Sequence, residues 1–475
     1  MENFINGKWT APLSGEYADV INPVTGAAFE TMARSNTQDV EVVMEAAQKA
    51  FKSWKKVPTA ERAKLQHKAA QLMRDNSEAI GKTLATELGR PLAACIREIN
   101  RGADLTDYYA EEGLRLKGEI PMHNIKGEKA MIVRDPIGVV LSITSFNYPI
   151  ALLTMKLGAA LIVGCTIVAK PSDDTPLSTL MIAELFTQAG YPEGVFNVIT
   201  GRGRDIGDAL VTHPYTAKIA FTGGTSTGKH IGMLAAQHNK RITLELGGQS
   251  PVIVCEDADL EVAIPAIVKH TFANSGQFCY RVSRVYAHAS IYNEVVERLT
   301  QHTAQLKVGD PFSDSDMGPM INQKIYQTSE DQTADAKTKG ANIKIGGERL
   351  TDGDYAKGWF FPPTIIADAN HNMEVMKNET FGPVAGVMAF ETIDEAIELA
   401  NDSEYGLAAY VFAGELGQGL RIAEELEAGS VWINNIQRSY HDVPFGGVKQ
   451  SGIGREKGRY GIESFTELKT IYFSY

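Results

Sequence analysis

Between residues 138 and 245 short apolar runs alternate with longer helical stretches, and that rhythm leaves few folds open. The runs "GVVLSIT" (138–144), "CTIVAK" (165–170), "VFNVIT" and "KIAFT" are strand-like and too apolar to leave either face in water. Between them lie a helix near 150–160, "TLMIAELFTQAG", "IGDALVTH" and a helix expected after Gly228. Buried strands joined by helices predict an α/β chain with a parallel, doubly wound sheet. A second series follows Glu245, with "SPVIVCE", "RVYAHAS", the helix "DEAIELANDSEYG" and "GSVWINN", and predicts a second α/β domain. The division falls at the glycine-rich "LGGQS" turn. Upstream, residues 39–115 have helical spacing broken at Pro58. The long apolar stretch Ile137–Ala169 is interrupted by Asn147, Pro149 and Lys156, so it reads as buried strands around a core helix and not as a membrane span.

At 475 residues the chain has room for two or three domains. A net charge of -12 disfavours nucleic acid and anionic membranes, which attract basic surfaces. Cys95, Cys165, Cys255 and Cys279 form no CxxC pair and have no histidine pairing of the zinc type, so neither a disulfide framework nor a metal is expected. Met1 to Lys8 shows no basic segment leading into an apolar run, and the expected location is the cytoplasm.

Several segments carry chemistry. In "FTGGTSTGKH" (221–230) both GxxxxGK and GxSxG match, but the first needs Ser or Thr where His230 stands, and neither has support elsewhere in the chain. What remains is a glycine turn between strand and helix, which suits either a plain tight turn or backbone approach to a pyrophosphate. Cys95, Cys165 and Cys255 sit in apolar or helical contexts and read as core. Cys279 lies among small and polar residues in "FANSGQFCYR", with Arg281 and Arg284 nearby to favour a thiolate. Glu245, between two leucines, has a setting that raises a carboxylate pKa towards general-base use, although a cap or backbone-bonding role fits it too. Asn147 follows a strand in "SITSFNYP", where it suits a turn or an amide donor.

Together "SFNYP", "VAKPSDDTPLS", "FTGGTSTG", "LELGGQSP", "FANSGQFC", "NETFGPV", "SEYGLAAYVF" and "PFGGVKQSGIGREKG" resemble the aldehyde dehydrogenase superfamily over nearly the whole chain. The resemblance implies that Cys279 is the nucleophile that forms a thioester, that Asn147 and the Cys279 N–H hold the oxyanion, and that Glu245 activates the hydrolytic water. It implies a cofactor cleft of Thr144, Ser145, Phe146, Lys170, Ser172, Asp173, Gly203, Thr222, Gly223, Gly224, Leu246, Glu379 and Phe381. Phe146 and Gly224 stand where many members have Trp and Ser. Asp173 replaces a frequent Glu at the ribose, and a carboxylate there favours NAD, with NADP still open.

Arg101, Tyr148 and Arg438 resemble positions at which the non-phosphorylating glyceraldehyde-3-phosphate dehydrogenase branch holds an anionic group. The arginine expected directly before the nucleophile is Phe278 here, and Arg281 is the expected compensation. The implied substrate is a small aldehyde bearing a phosphate, phosphonate, sulfonate or carboxylate; the competing reading makes these arginines solvated or salt-bridged structural residues. Broad-specificity oxidation of neutral aldehydes and coenzyme-A acylation are alternatives, the latter disfavoured by Glu245. The expected plan is a dinucleotide-binding domain at 1–116 and 137–247, a catalytic domain at 248–446 and an oligomerisation segment at 117–136 and 463–475. In this plan the C-terminal strand "ELKTIYFSY" pairs away from its neighbours, on another subunit of a homodimer or homotetramer.

Overall fold

Two parallel sheets carry the molecule, and the chain passes from one to the other at residues 246–249. The structure is a computed structural model that describes residues 1–122, 125–436 and 440–475.

In the first sheet the strand order is Lys8–Thr10, Asn3–Ile5, Phe196–Val198, Thr166–Lys170, Val139–Ile143, Thr216–Thr222, Arg241–Glu245 and Gly452–Ile453. The five strands from Phe196–Val198 to Arg241–Glu245 are parallel, flanked by antiparallel additions at both edges. From Val139–Ile143 the chain first adds strands on one side, then returns to add Thr216–Thr222 on the other. That reversal opens a crevice at the carboxyl ends of Val139–Ile143 and Thr216–Thr222, where ligands of open α/β sheets bind.

Local chemistry sets the element ends. Asn36 caps the helix Thr37–Trp54 in a capping box with Asp39. The helix Pro149–Val163 starts on a proline and stops at Gly164 in the left-handed region. The helix expected after Gly228 begins earlier, at Thr225, because extended Gly224 serves as its N-cap. Gly228 sits inside its first turns because a Cβ there would strike the side chain of Leu246.

The second sheet runs Asn342–Ile345, Thr364–Ala367, Val384–Phe390, Val282–His288, Ser250–Val254, Ala408–Phe412 and Ser430–Ile433, all parallel except the first. Gly452–Ile453 then returns the chain to the first sheet, beside Leu244 and Glu245. The C-terminal strand Thr466–Ser474 pairs away from its sequence neighbours, with Glu128–Pro136 of the same chain, in register from Thr466↔Pro136 to Ser474↔Glu128. The two segments are too far apart in sequence for that pairing to be read locally. Among the described residues no helix is long and apolar enough to cross a membrane.

Candidate active site

The carboxyl ends of the parallel strands gather most of the residues singled out from sequence. Thr144, Ser145 and Phe146 leave Val139–Ile143, while Lys170, Ser172 and Asp173 leave the adjacent Thr166–Lys170. Thr222, Gly223 and Gly224 leave Thr216–Thr222, and Gly203 opens the helix Gly203–Thr212 after Phe196–Val198. A Cβ on Gly224 or Gly203 would meet nothing within 4 Å, so both helix N-termini offer open backbone. Such a strip of N–H groups at positive helix ends suits a pyrophosphate. Lys170 is buried and donates to Asp173 Oδ1 at 2.9 Å and to the Pro171 carbonyl at 3.0 Å. Beside it, burial and the charge of Asp173 push Asp174 up to about 6.

The second sheet closes the cleft from the other side. Glu379 Oε1 accepts from the Gly248 N–H at 3.0 Å, and burial pushes its carboxyl up to about 7. A Cβ on Gly247 would stand 2.7 Å from the same carboxylate, so the glycine lets Glu379 lie close against the turn. Phe381 meets Phe146 edge to face at 5.7 Å, bridging the two sheets with a ring contact.

Cys279 lies at the end of this cleft on a strained loop. Asn274 and Ser275 both have left-handed backbones, with φ of 51° and 55°. Cross-bonds hold the loop: Gln277 Nε2 donates to the Asn274 carbonyl at 3.1 Å, and its Oε1 accepts from the Ile321 N–H at 2.9 Å. Asn274 Nδ2 also donates to the Asn147 carbonyl at 3.0 Å, so the cysteine loop and the Asn147 turn move as one piece. Asn274→Ala is expected to cost about 0.5–1.5 kcal/mol, the net worth of a hydrogen bond, because the Asn147 carbonyl keeps a donor in Arg90. It should also lower kcat more than it raises KM; unchanged kcat with a lower urea midpoint would show that the tie is structural only.

Glu245 ends the strand Arg241–Glu245 and is buried, and neither of its carboxylate oxygens has a hydrogen-bond partner among the described residues. Gly446 makes room for it, because a Cβ at that residue would come within 2.6 Å of Oε1. Burial first, and then the charge of Glu456, raise the Glu245 pKa well above the usual carboxylate range. Cys279 is partly exposed, whereas Cys95, Cys165 and Cys255 are buried. Its thiol is pushed up by burial and by the negative charges of Glu245 and Glu379. The Cys279 thiol and the Glu245 carboxyl thus act on each other where the cleft ends, with the Asn147 backbone tied to the cysteine loop.

The sequence pattern of the aldehyde dehydrogenase family matches residues 9–471. The chain belongs to that family. It is an NAD(P)-dependent oxidoreductase that acts on aldehydes. It is 41% identical to the mitochondrial succinate-semialdehyde dehydrogenase of Arabidopsis thaliana, over 99% of this chain and 88% of that one. With the 3-sulfolactaldehyde dehydrogenase of Pseudomonas putida it shares 38% identity over 98% of this chain and 96% of the other. A crystal structure of betaine aldehyde dehydrogenase from Staphylococcus aureus, in complex with NAD+, superposes with a TM-score of 0.97 at 36% identity, covering 99% of this chain and 94% of that one.

Two expectations about this aldehyde dehydrogenase need correction. Arg281 does not reach a substrate: its guanidinium is fully buried and donates to the carbonyls of Thr271, Thr380 and Val384 at 3.2, 2.9 and 2.7 Å. Arg284 is equally committed, to the carbonyls of Gln249 and Ala400. Neither cation therefore turns the Cys279 thiol towards thiolate, and the charges that act on it are carboxylates. Arg101 is exposed on the helix Leu92–Gly113, Tyr148 is half-buried at the start of Pro149–Val163, and Arg438 lies outside the described residues.

Other groups at the site have no local signal in the sequence. Arg90 and Glu98 form a buried ion pair. Glu98 accepts from the Ile150 and Ala151 N–H groups, while Arg90 stacks on the Tyr148 ring at 4.5 Å and donates to the Asn147 carbonyl. Lys156 is fully buried and bonds Glu456 Oε1 at 2.8 Å and Thr222 Oγ1 at 2.7 Å. Of these, only Lys156 was visible beforehand, as a charge inside an otherwise apolar helix.

Proposed function

We propose that the chain oxidises a small anionic aldehyde to the carboxylic acid through a thioester on Cys279, with NAD favoured over NADP. The observation that carries the reading is the buried Glu245 carboxyl, without a hydrogen-bond partner among the described residues, whose charge opposes ionisation of the Cys279 thiol at the end of a dinucleotide cleft.

Each negative charge opposes the other, so an ionised Glu245 favours a neutral thiol, and the sulfur attacks the aldehyde carbon once its proton has passed to solvent. The S–C bond forms and the carbonyl oxygen becomes an oxyanion, held by the Asn147 side-chain amide and the Cys279 N–H. Thr144, Ser145, Phe146, Lys170, Ser172, Asp173, Gly203, Thr222, Gly223, Gly224, Leu246, Glu379 and Phe381 hold the dinucleotide, whose nicotinamide supplies the hydride acceptor when bound. Glu245 then takes a proton from water, whose oxygen attacks the thioester carbon, and the S–C bond breaks to release acid and thiol. A base in this place argues against transfer of the acyl group to coenzyme A. Asp173 and the nearby Asp174 would repel a 2'-phosphate, which supports NAD.

The anionic reading draws on Arg101 and Tyr148 and on the relatives named for succinate semialdehyde and 3-sulfolactaldehyde. NADH formation with 4-oxobutanoate and butanal, with Cys279→Ala as the control, tests it. We expect kcat/KM for 4-oxobutanoate to be higher by about tenfold or more, as one charge-assisted contact provides. Equal values would remove the anionic substrate and leave the chemistry standing. The exposed Leu468, Ile471, Tyr472 and Phe473 on the C-terminal strand support a homodimer or homotetramer.

A further inference from the structure

Hydride can leave a carbon bound to Cys279 only if the nicotinamide stands beside it, and a misplacement of about 1 Å costs about 10²-fold in rate. The nucleophile loop and the segment 379–381 reach the cleft from distant parts of the chain, so their separation has to be fixed by contacts between them. We propose that Arg281 is the positioning residue that fixes it, by tying the peptide beside Cys279 to the backbone on both sides of Phe381. The proposal rests on the reading of Cys279 as nucleophile and of Glu379 and Phe381 as holders of the nicotinamide side of the dinucleotide.

Arg281 lies at the foot of the strand Val282–His288, two residues after the nucleophile, and its side chain is fully buried. Its Nε donates at 3.2 Å to the carbonyl of Thr271, in the last turn of the helix Leu260–Phe272 that leads into the nucleophile loop. Nη1 donates to the Thr380 carbonyl at 2.9 Å and Nη2 to the Val384 carbonyl at 2.7 Å. One planar fork thus joins the start of the nucleophile loop, its end and both flanks of residues 381–383. An apolar side chain of the same volume would avoid the desolvation of a buried charge. What the guanidinium supplies instead is donors aimed at three separate carbonyls.

The surrounding contacts leave this segment little slack. Gly276 of the nucleophile loop has φ of 72°, and a Cβ on it would stand 2.2 Å from the Gly382 carbonyl oxygen, so the loop rests directly on residues 382–383. Gln249 Oε1 accepts from the Thr380 N–H at 3.0 Å, and Gln332 Nε2 donates to the Glu379 carbonyl at 3.2 Å. These bonds fix the Glu379 and Thr380 peptides to the turn between the sheets, and Arg281 carries the tie on to Cys279. Its charge acts on Glu379 as well: burial raises that carboxyl, and the Gly248 N–H and then Arg281 oppose the rise, which keeps an anion available to accept ribose hydroxyls. Asn147 and Glu245 reach the sulfur by other routes, the first through Asn274 and the second from the end of Arg241–Glu245 in the first sheet. Loss of Arg281 therefore separates two functions of one site. Acylation of the sulfur and hydrolysis need no dinucleotide, whereas hydride transfer needs sulfur and nicotinamide in register.

Arg281→Met and Arg281→Lys test the assignment with two reactions of the same sulfur. One is NAD-dependent oxidation of the faster of butanal and 4-oxobutanoate; the other is hydrolysis of 4-nitrophenyl acetate without dinucleotide. In the ester reaction the S–C bond forms as 4-nitrophenolate leaves, and water then releases acetate, so no hydride moves. We expect Arg281→Met to lower the ratio of kcat/KM for oxidation over ester hydrolysis by about 10²-fold, the effect of a misplacement of about 1 Å. Arg281→Lys keeps the charge but not the fork, and should lower the ratio by about tenfold, the worth of one lost bond to a charged group. A wild-type ratio in both variants would show hydride transfer indifferent to Arg281 and overturn its role. Parallel loss of both activities in Arg281→Lys would also overturn it, by making the residue purely structural. Glu379→Gln and Cys279→Ala test the underlying reading separately. An unchanged KM for NAD in the first, or ester hydrolysis that persists in the second, would overturn that reading and this inference with it.

Discussion

Glu245→Gln should lower steady-state turnover by about 10²–10⁴-fold, the usual contribution of a general base, and should at the same time make Cys279 easier to alkylate. The two effects oppose each other in sign because the carboxyl does two things. As a base it serves the hydrolytic water, whereas Glu379, the other carboxylate that acts on Cys279, is held by the Gly248 N–H. As a charge it opposes the Cys279 thiolate, second only to burial among the causes that hold the thiol up. Glutamine keeps the shape and removes both functions.

The midpoint of iodoacetamide inactivation should therefore move to lower pH in Glu245→Gln, because less negative charge surrounds the sulfur when it ionises. If Glu245 acts mainly on the thioester, mixing the variant with aldehyde and NAD should also give a burst of about one NADH per active site before turnover stalls. No burst, combined with slower alkylation, would mean that the carboxyl activates the thiol and not the water. Loss of turnover with no change in either measurement would place Glu245 outside the chemistry altogether.

How much of this was legible beforehand depended on the range of the interaction concerned. The strand–helix alternation is a local signal, and Val139–Ile143, Thr166–Lys170 and Thr216–Thr222 lie where their apolar runs are. Glu245 between two leucines is local as well, and its raised pKa follows from burial first. Arg281 misled because a charged residue two positions from a cysteine resembles a ligand in one dimension. Its carbonyl partners at Thr380 and Val384 come from a segment about a hundred residues away and could not be read from neighbours. Lys457 was silent for the converse reason, since one lysine in a glycine-rich turn looks solvated, yet it is buried with its ammonium over the Phe445 ring. The Arg90–Glu98 pair likewise acquires its meaning from the Asn147 turn that it supports.

Glu456→Gln should shift the acid limb of the pH–rate profile to lower pH and should destabilise the fold by about 3–5 kcal/mol, the usual cost of leaving one member of a buried ion pair alone. The direction of the pH shift follows from two contributions of the same sign. Glu245 must be ionised to act as a base, and its raised pKa places the acid limb above the ordinary carboxylate range. Removing the Glu456 charge lowers that pKa, and leaving the Lys156 ammonium without its carboxylate lowers it further, since Lys156 already acts in that sense. Activity should then persist to lower pH even as the protein becomes less resistant to urea. Replacing both partners, Lys156→Met with Glu456→Met, separates the effects: stability should recover because no buried charge is left over, while the pH shift should shrink because one raising and one lowering influence are lost together. An acid limb that moves upward in Glu456→Gln would show that Glu456 does not act on Glu245 through its charge. A double variant no more stable than the single one would place the worth of the pair in packing and not in charge.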